Sequence, residues 1–153
     1  MRRHLAIGAV FALFNGTAIM CGAWAIDRTP ATDTQNVEVI PASIMAGSVG
    51  EVRYMFQRFR LCERKSTRFV IDSTNREFMT STEKNPSSTV QRRAGRSTFV
   101  QPFTVPIAAK PGAAVYRVRI EDYCNPIHRL WPITKTIEAP FQIAPALDSR
   151  SGR

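Results

Sequence analysis

The apolar and polar positions of this chain fall into two regimes. Between Leu5 and Ile26 the chain runs 22 residues with no charged side chain. Beyond residue 35 the apolar residues come in short segments of period two. Pro, Gly, Asn or Ser cuts them about every ten residues, the spacing of a sandwich or barrel. No stretch after residue 30 sustains a helical period.

The second regime predicts about seven strands. The first spans residues 36–40 and stops at Pro41, with Ile44 and Met45 resuming it before the Ala46-Gly47 turn. The second covers residues 51–62, where Val52, Tyr54 and Phe56 alternate before parity moves to Phe59 and Leu61. A bulge near Gln57-Arg58 would keep both apolar sets on one face. Residues 68–73 and 77–81 form a hairpin through Asn75-Arg76. Residues 98–105 are broken by Pro102, which argues for an edge. Pro111-Gly112 turns into the clearest strand, residues 113–124, with Tyr116, Val118, Ile120 and Cys124 on one face and Arg117, Arg119 and Glu121 on the other. The last strand, residues 135–143, contains Pro140 and again suggests an edge.

The first regime decides location. A helix over residues 5–26 is roughly 33 Å long, enough for a hydrocarbon core of ~30 Å. Asn15, Gly16 and Thr17 are tolerated because helical backbone bonds stay internal. Arg2 and Arg3 place the N-terminus in the cytoplasm, and Trp24 sits where an aromatic belt residue would. The expected organisation is a cytoplasmic N-terminus (1–4), a transmembrane signal anchor (5–26), a polar stalk (27–35), the β domain (36–143) and a disordered tail (144–153). The alternative is a signal peptide cut after Ala25 at the Ala23-Trp24-Ala25 site, giving a secreted or virion-associated cationic protein. Cys21 also raises lipoprotein processing, which Met20 before it disfavours. All of these readings export the same domain.

Composition then narrows the partners. The net charge of +9 would suggest nucleic acid for a cytoplasmic protein. Export replaces that with envelope polyanions, so no nucleic acid is expected. The expected partners are the bilayer itself, through residues 5–26, and an envelope protein or anionic envelope polymer. The expected location is a bacterial inner membrane with the C-terminal domain in the periplasm.

Cys62 and Cys124 both lie in the exported part, where a disulfide persists. Separate buried thiols are the alternative. A metal site is disfavoured because His128 is too little company. Cys62 ends the second expected strand and Cys124 the sixth. Over residues 36–143 that order resembles the immunoglobulin-like antiparallel β-sandwich, whose inter-sheet disulfide joins those strands. No Trp follows on the third strand, and Tyr123 adjoins the second cysteine instead of preceding it by two.

The basic start, the span ending Gly22-Ala23-Trp24-Ala25-Ile26-Asp27-Arg28 and the small β domain with Tyr123-Cys124-Asn125-Pro126 give a second resemblance. The whole is similar to uncharacterised single-pass membrane proteins of tailed bacteriophages and proteobacteria. That resemblance implies location and fold and transfers no activity.

Two segments carry candidate binding chemistry. The loop over residues 124–133 sets Asn125, His128, Arg129 and Trp131 between two prolines, and Trp and Arg are the residue types of interface hot spots. The basic stretch over residues 83–97 carries Arg92, Arg93 and Arg96, suited to an anionic surface. Arg53, Arg58, Arg60, Arg64 and Lys65 form either a basic stripe or pairs with Glu51, Glu63 and Asp72. His128 has no nucleophile placed by spacing, and no phosphate loop, paired-acid motif or metal-ligand spacing occurs. A non-enzymatic binding module without cofactor is the expectation.

Overall fold

The computed structural model describes residues 2–85 and 95–145, with helix side chains described at Gly8 and over residues 11–26. Helix α1 covers Arg2–Ile26. Its polar interruption satisfies itself: Asn15 Nδ2 donates to the Phe11 carbonyl and Thr17 Oγ1 to the Leu13 carbonyl, each at 2.8 Å. The described side chains run over about 24 Å of helix axis. Among the described residues no helix is long and apolar enough to cross a membrane.

Eight strands follow: β1 Thr32–Ile40, β2 Ser43–Met45, β3 Val49–Arg58, β4 Glu63–Ile71, β5 Glu77–Asn85, β6 Gly95–Thr104, β7 Gly112–Tyr123 and β8 Ile133–Ala144. They make two sheets, ordered β1-β3-β6 and β2-β8-β7-β4-β5. Pairing is antiparallel except between β2 and β8, which run parallel. Pro41 brings about this exception. Lacking an N–H, it ends the β1 ladder, and the chain crosses to the other sheet, where the Ala42 carbonyl accepts from Gln142 N–H at 2.8 Å.

The inner faces meet in one core of Val39, Val52, Tyr54, Val70, Phe103, Tyr116, Val118, Phe141 and their neighbours. The rings of Phe103 and Tyr116 lie 4.6 Å apart across the two sheets, and Phe103 meets Phe141 edge-on at 5.8 Å. Inward and outward residues of β7 divide as the alternation predicts, with Ala114, Tyr116, Val118 and Ile120 buried. Pro102 lies on the edge strand β6. Pro140 pairs only with β7, because β2 covers β8 only from Gln142 to Ala144.

Several expectations need correction. The stretch expected to be a stalk contains residues 32–35, the first four of the nine residues of β1, since Thr32 already pairs with Arg58. The parity slip expected at Gln57-Arg58 does not occur. β3 ends at Arg58, and Phe59 and Leu61 lie beyond it, exposed. The bulge sits instead on the partner strand, between Thr34 and Asn36 of β1. A second irregularity in the β4–β5 pairing leaves Thr80 unpaired and turns Ser81 and Glu83 to the inner side. The disulfide Cys62–Cys124 is present, but it does not join the sheets. Glu63 pairs with Tyr123, so the bond closes the ends of two neighbouring strands of one sheet. Arg92, Arg93 and most of the expected tail lie outside the described residues; Ala144 belongs to β8.

Asp72 organises the far end of the sandwich. Its Oδ1 accepts from the N–H groups of Thr74 and Arg76 and the Thr74 hydroxyl, while Oδ2 accepts from Lys110 N–H at 3.0 Å. That hairpin turn carries Asn75 in the left-handed region at φ 61°. The Lys110 N–H, then the Thr74 hydroxyl, hold the Asp72 carboxyl well below the ordinary carboxylate range against the effect of burial. A folded value below the unfolded one stabilises the fold above about pH 4, and that contribution is lost as pH falls through the depressed value. Urea melts from pH 7 downward therefore lose stability below about pH 4. Asp72→Asn gives a lower but flatter profile, and an unchanged slope would show that other groups dominate.

Candidate functional site

The loop singled out in the sequence is the joint between α1 and the sandwich. Asn125 opens a 3-10 turn, Pro126–Arg129, its side chain accepting from His128 N–H at 3.2 Å. His128 is fully buried. The Cys124 N–H reaches its Nδ1 at 3.1 Å, so Nδ1 is the acceptor and the proton belongs on Nε2, which donates to the Asp27 carbonyl at 2.9 Å. Asn125 Nδ2 also donates to the Trp24 carbonyl at 3.2 Å. Both ring nitrogens of His128 are thus occupied by backbone, which leaves none for a substrate or metal.

Arginines complete the joint. Arg28 donates to the carbonyls of Trp131 and Pro132 at 2.9 and 3.0 Å, and its guanidinium lies 4.3 Å from the centre of the Trp131 ring. Arg60 binds Asp27 Oδ2 at 2.7 Å and the Thr29 carbonyl. The Arg60 hydrogen bond is the main reason the Asp27 carboxyl titrates below its ordinary value, with burial opposing it. The residues expected to form a stalk are therefore tied down along their backbone.

Arg129 and Trp131 remain on the surface. Arg129 reaches Glu63 Oε2 at 3.0 Å with both side chains well solvated. Trp131 is 59% and Leu130 90% exposed, and Phe59 and Leu61, which flank Arg60 in the chain, are exposed at 54% and 52%. Surface pairs of this kind contribute about 0–1 kcal/mol, and an exposed cation–π contact about 0.5–1 kcal/mol. Arg129→Ala with Trp131→Ala is therefore expected to lower stability by no more than about 2 kcal/mol in a urea melt. A larger loss would mean that the side chains, and not the backbone carbonyls, hold the joint.

The basic residues resolve mostly into pairs, with other partners than the sequence suggested. Arg53 binds Glu38, Arg64 binds Asp122 and Lys65 reaches Glu121. Arg96 lies exposed on β6. Arg58 forms no salt bridge among the described residues, although the charge of Asp122 reaches it; it stacks 5.3 Å from the centre of the Phe56 ring.

A second feature went unseen in the sequence. Between the sheets, at the helix-proximal end, lies a cavity of about 350 Å³. Tyr54, Phe56 and Phe99 wall one side, Val118, Ile120 and Ile137 the other, and Arg58, Arg64 and Arg68 enter it with Thr32, Ser66 and Glu83. Arg64 forks onto Asp122 at 2.6 and 2.9 Å and also donates to Thr32 Oγ1 on the opposite sheet at 2.8 Å. Arg68 is 6% exposed and donates to Glu83 at 3.0 Å and Ser81 at 3.3 Å, but its buried Nε has no partner. The Tyr54 and Tyr116 hydroxyls meet at 3.3 Å beside it. Burial raises the pKa of both tyrosines, so they stay protonated. Burial, then the charge of Arg64, lowers that of Arg58. The available signal was the run Arg64, Ser66, Arg68, Val70, one parity of a strand with polar residues at inward positions.

Among the described residues no cluster of three or more His, Cys, Asp or Glu could hold a metal ion. No protein-family model matches the chain, and no curated protein does. Solved structures with partial likeness include the alkylpurine DNA glycosylase AlkC of Pseudomonas fluorescens bound to DNA containing an abasic site analog (11% identity, TM-score 0.47). That match covers 76% of this chain and 31% of that one. A Niemann-Pick type C2 protein from Japanese carpenter ant follows at 14% identity and TM-score 0.46, covering 76% of this chain and 95% of that one. The sporulation control protein Spo0M of Bacillus subtilis has 12% identity and TM-score 0.41, covering 76% and 50%. Likeness this distant carries no argument about what the chain does.

Proposed function

We propose that this chain is a membrane-anchored binding module without catalytic activity, its N-terminus cytoplasmic and its immunoglobulin-like sandwich in the periplasm of a bacterial envelope. The sequence supports the topology through the uncharged run after Arg2 and Arg3. The observation that carries the reading is the joint. The chain is fastened to the sandwich where the apolar run ends; Trp131, under Arg28, and its neighbour Leu130 are exposed there, as are Phe59 and Leu61 on either side of the fastening Arg60. Aromatic and basic side chains around a helix exit suit a lipid interface, where amphipathic rings and cations settle at headgroup level. The loop read as a partner-capturing site then serves as a seat on the bilayer. An envelope protein or anionic polymer remains the partner class for the outward surface.

One observation favours the alternative of a processed, secreted protein. Nearly every bond of the joint on the helix side starts at Asp27 or later, and cleavage after Ala25 would remove only the Trp24–Asn125 bond. The intact mass of non-reduced protein from separated membrane and soluble fractions decides between them. Full-length mass in the membrane supports the anchor; a soluble species beginning at Ile26 overturns it.

A further inference from the structure

We propose that the cavity between the sheets binds a small organic anion with an apolar body. Its carboxylate would lie among Arg58, Arg64 and Arg68, and its body against Tyr54, Phe56, Phe99 and Ile137. The inference rests on the binding-module reading and not on membrane retention.

Charge carries the first step. Guanidinium groups inside a sandwich lose their hydration, and only paired, fully hydrogen-bonded groups recover it. Three arginines enter this cavity, and two carboxylates answer them, Asp122 on Arg64 and Glu83 on Arg68. Arg58 forms no salt bridge of its own: it is part-buried beside Arg64 and feels, of negative charge, only Asp122, which Arg64 already engages. The buried Nε of Arg68 is a donor without an acceptor. One missing negative charge and one missing acceptor thus occur in a single cavity. A carboxylate at the arginine end supplies negative charge and acceptor oxygens, and a cation supplies neither.

Shape carries the second step. The volume of about 350 Å³ lies in the range of small-ligand sites, roughly 300–1,000 Å³. An inorganic anion would fill only the arginine end and leave the aromatic and aliphatic walls wet. An amphiphile covers both ends and gains from removing the apolar walls from water.

Backbone irregularities build the site. The β1 bulge turns Thr32 and Thr34 inward beside Val37 and Val39, and the unpaired Thr80 of β5 turns Ser81 and Glu83 onto Arg68. Bulges that re-aim side chains are common beside functional sites.

The test uses the full-length chain in discs of zwitterionic lipid, titrated with 4-phenylbutanoate and, in parallel, with the uncharged 4-phenylbutanamide. Binding is read from the arginine side-chain N–H resonances. The acid is expected to saturate and to move the Arg68 Nε–H signal, with the amide binding about ten-fold more weakly, as for the loss of one charged hydrogen bond. Arg58→Gln is expected to weaken the acid by about ten-fold and leave the amide unchanged. Ser97→Trp, at an exposed position on the cavity rim, should block both. Equal binding of acid and amide overturns the proposal, as does an acid response that survives both substitutions or a failure to saturate. If the chain proves to be processed and soluble, the same titration runs on the released domain, so the two readings fail separately.

Discussion

Cys62→Ser together with Cys124→Ser is expected to lower the stability of the domain by about 4 kcal/mol. The cysteines are 62 residues apart, and in the chain-entropy model a cross-link of that span removes roughly this much freedom from the unfolded chain. The folded state changes little, because β4 and β7 already lie side by side and Glu63 already pairs with Tyr123. The effect should therefore appear as an earlier urea midpoint with intact near-UV ellipticity below the transition. In a thermal scan it corresponds to a drop on the order of 15 °C for a domain of this size. Melts of the oxidised protein with and without a thiol reductant give the same comparison without mutation. A difference below about 1 kcal/mol would mean that the unfolded chain is already compact around this pair.

Where the inner face is apolar, the alternation locates the strands well. β7 is found almost to the residue, since Ala114, Tyr116, Val118 and Ile120 all point to the core. Where the inner face lines the cavity, it fails. Thr32 and Thr34 occupy inward positions of β1, and Arg64, Ser66 and Arg68 those of β4, so neither segment shows a period of two in hydrophobicity. The first was read as a stalk and the second lost its opening half. Both errors have one cause. A strand half devoted to a polar site looks like a loop, because burial and hydrophobicity no longer coincide. The disulfide was legible from cysteine count and the expectation of export, but its place in the sheet was not. Placing Cys62 at the end of β3 instead of before β4 depended on whether Phe59 and Leu61 are strand or loop, and their apolar side chains pointed the wrong way. His128 was likewise recognisable as unusual, while its burial depends on the backbone of Asp27 and Cys124, which no side-chain pattern reveals.

That burial makes His128 the strongest single-residue test of the joint. His128→Ala is expected to lower stability by about 4 kcal/mol. The substitution opens a cavity at a fully buried site and strands the Cys124 N–H and the Asp27 carbonyl, each worth about 1–3 kcal/mol when left without a partner. His128→Phe separates the two contributions. It keeps most of the volume, so any loss that persists reports the two hydrogen bonds, and full recovery would assign the residue to packing alone. The local consequence is as informative as the global one. With the Asp27 carbonyl released, Arg28, Arg60 and the Phe59 N–H bond to the Ala31 carbonyl hold residues 27–31 on the sandwich, and trypsin should cut after Arg28 faster than in the parent protein under native conditions. Cleavage there at the parental rate, in a variant that has lost stability, would show that the remaining bonds suffice to fasten the segment. A histidine serving a partner or substrate would give the opposite pattern: unchanged melts, unchanged cleavage, and loss of binding alone.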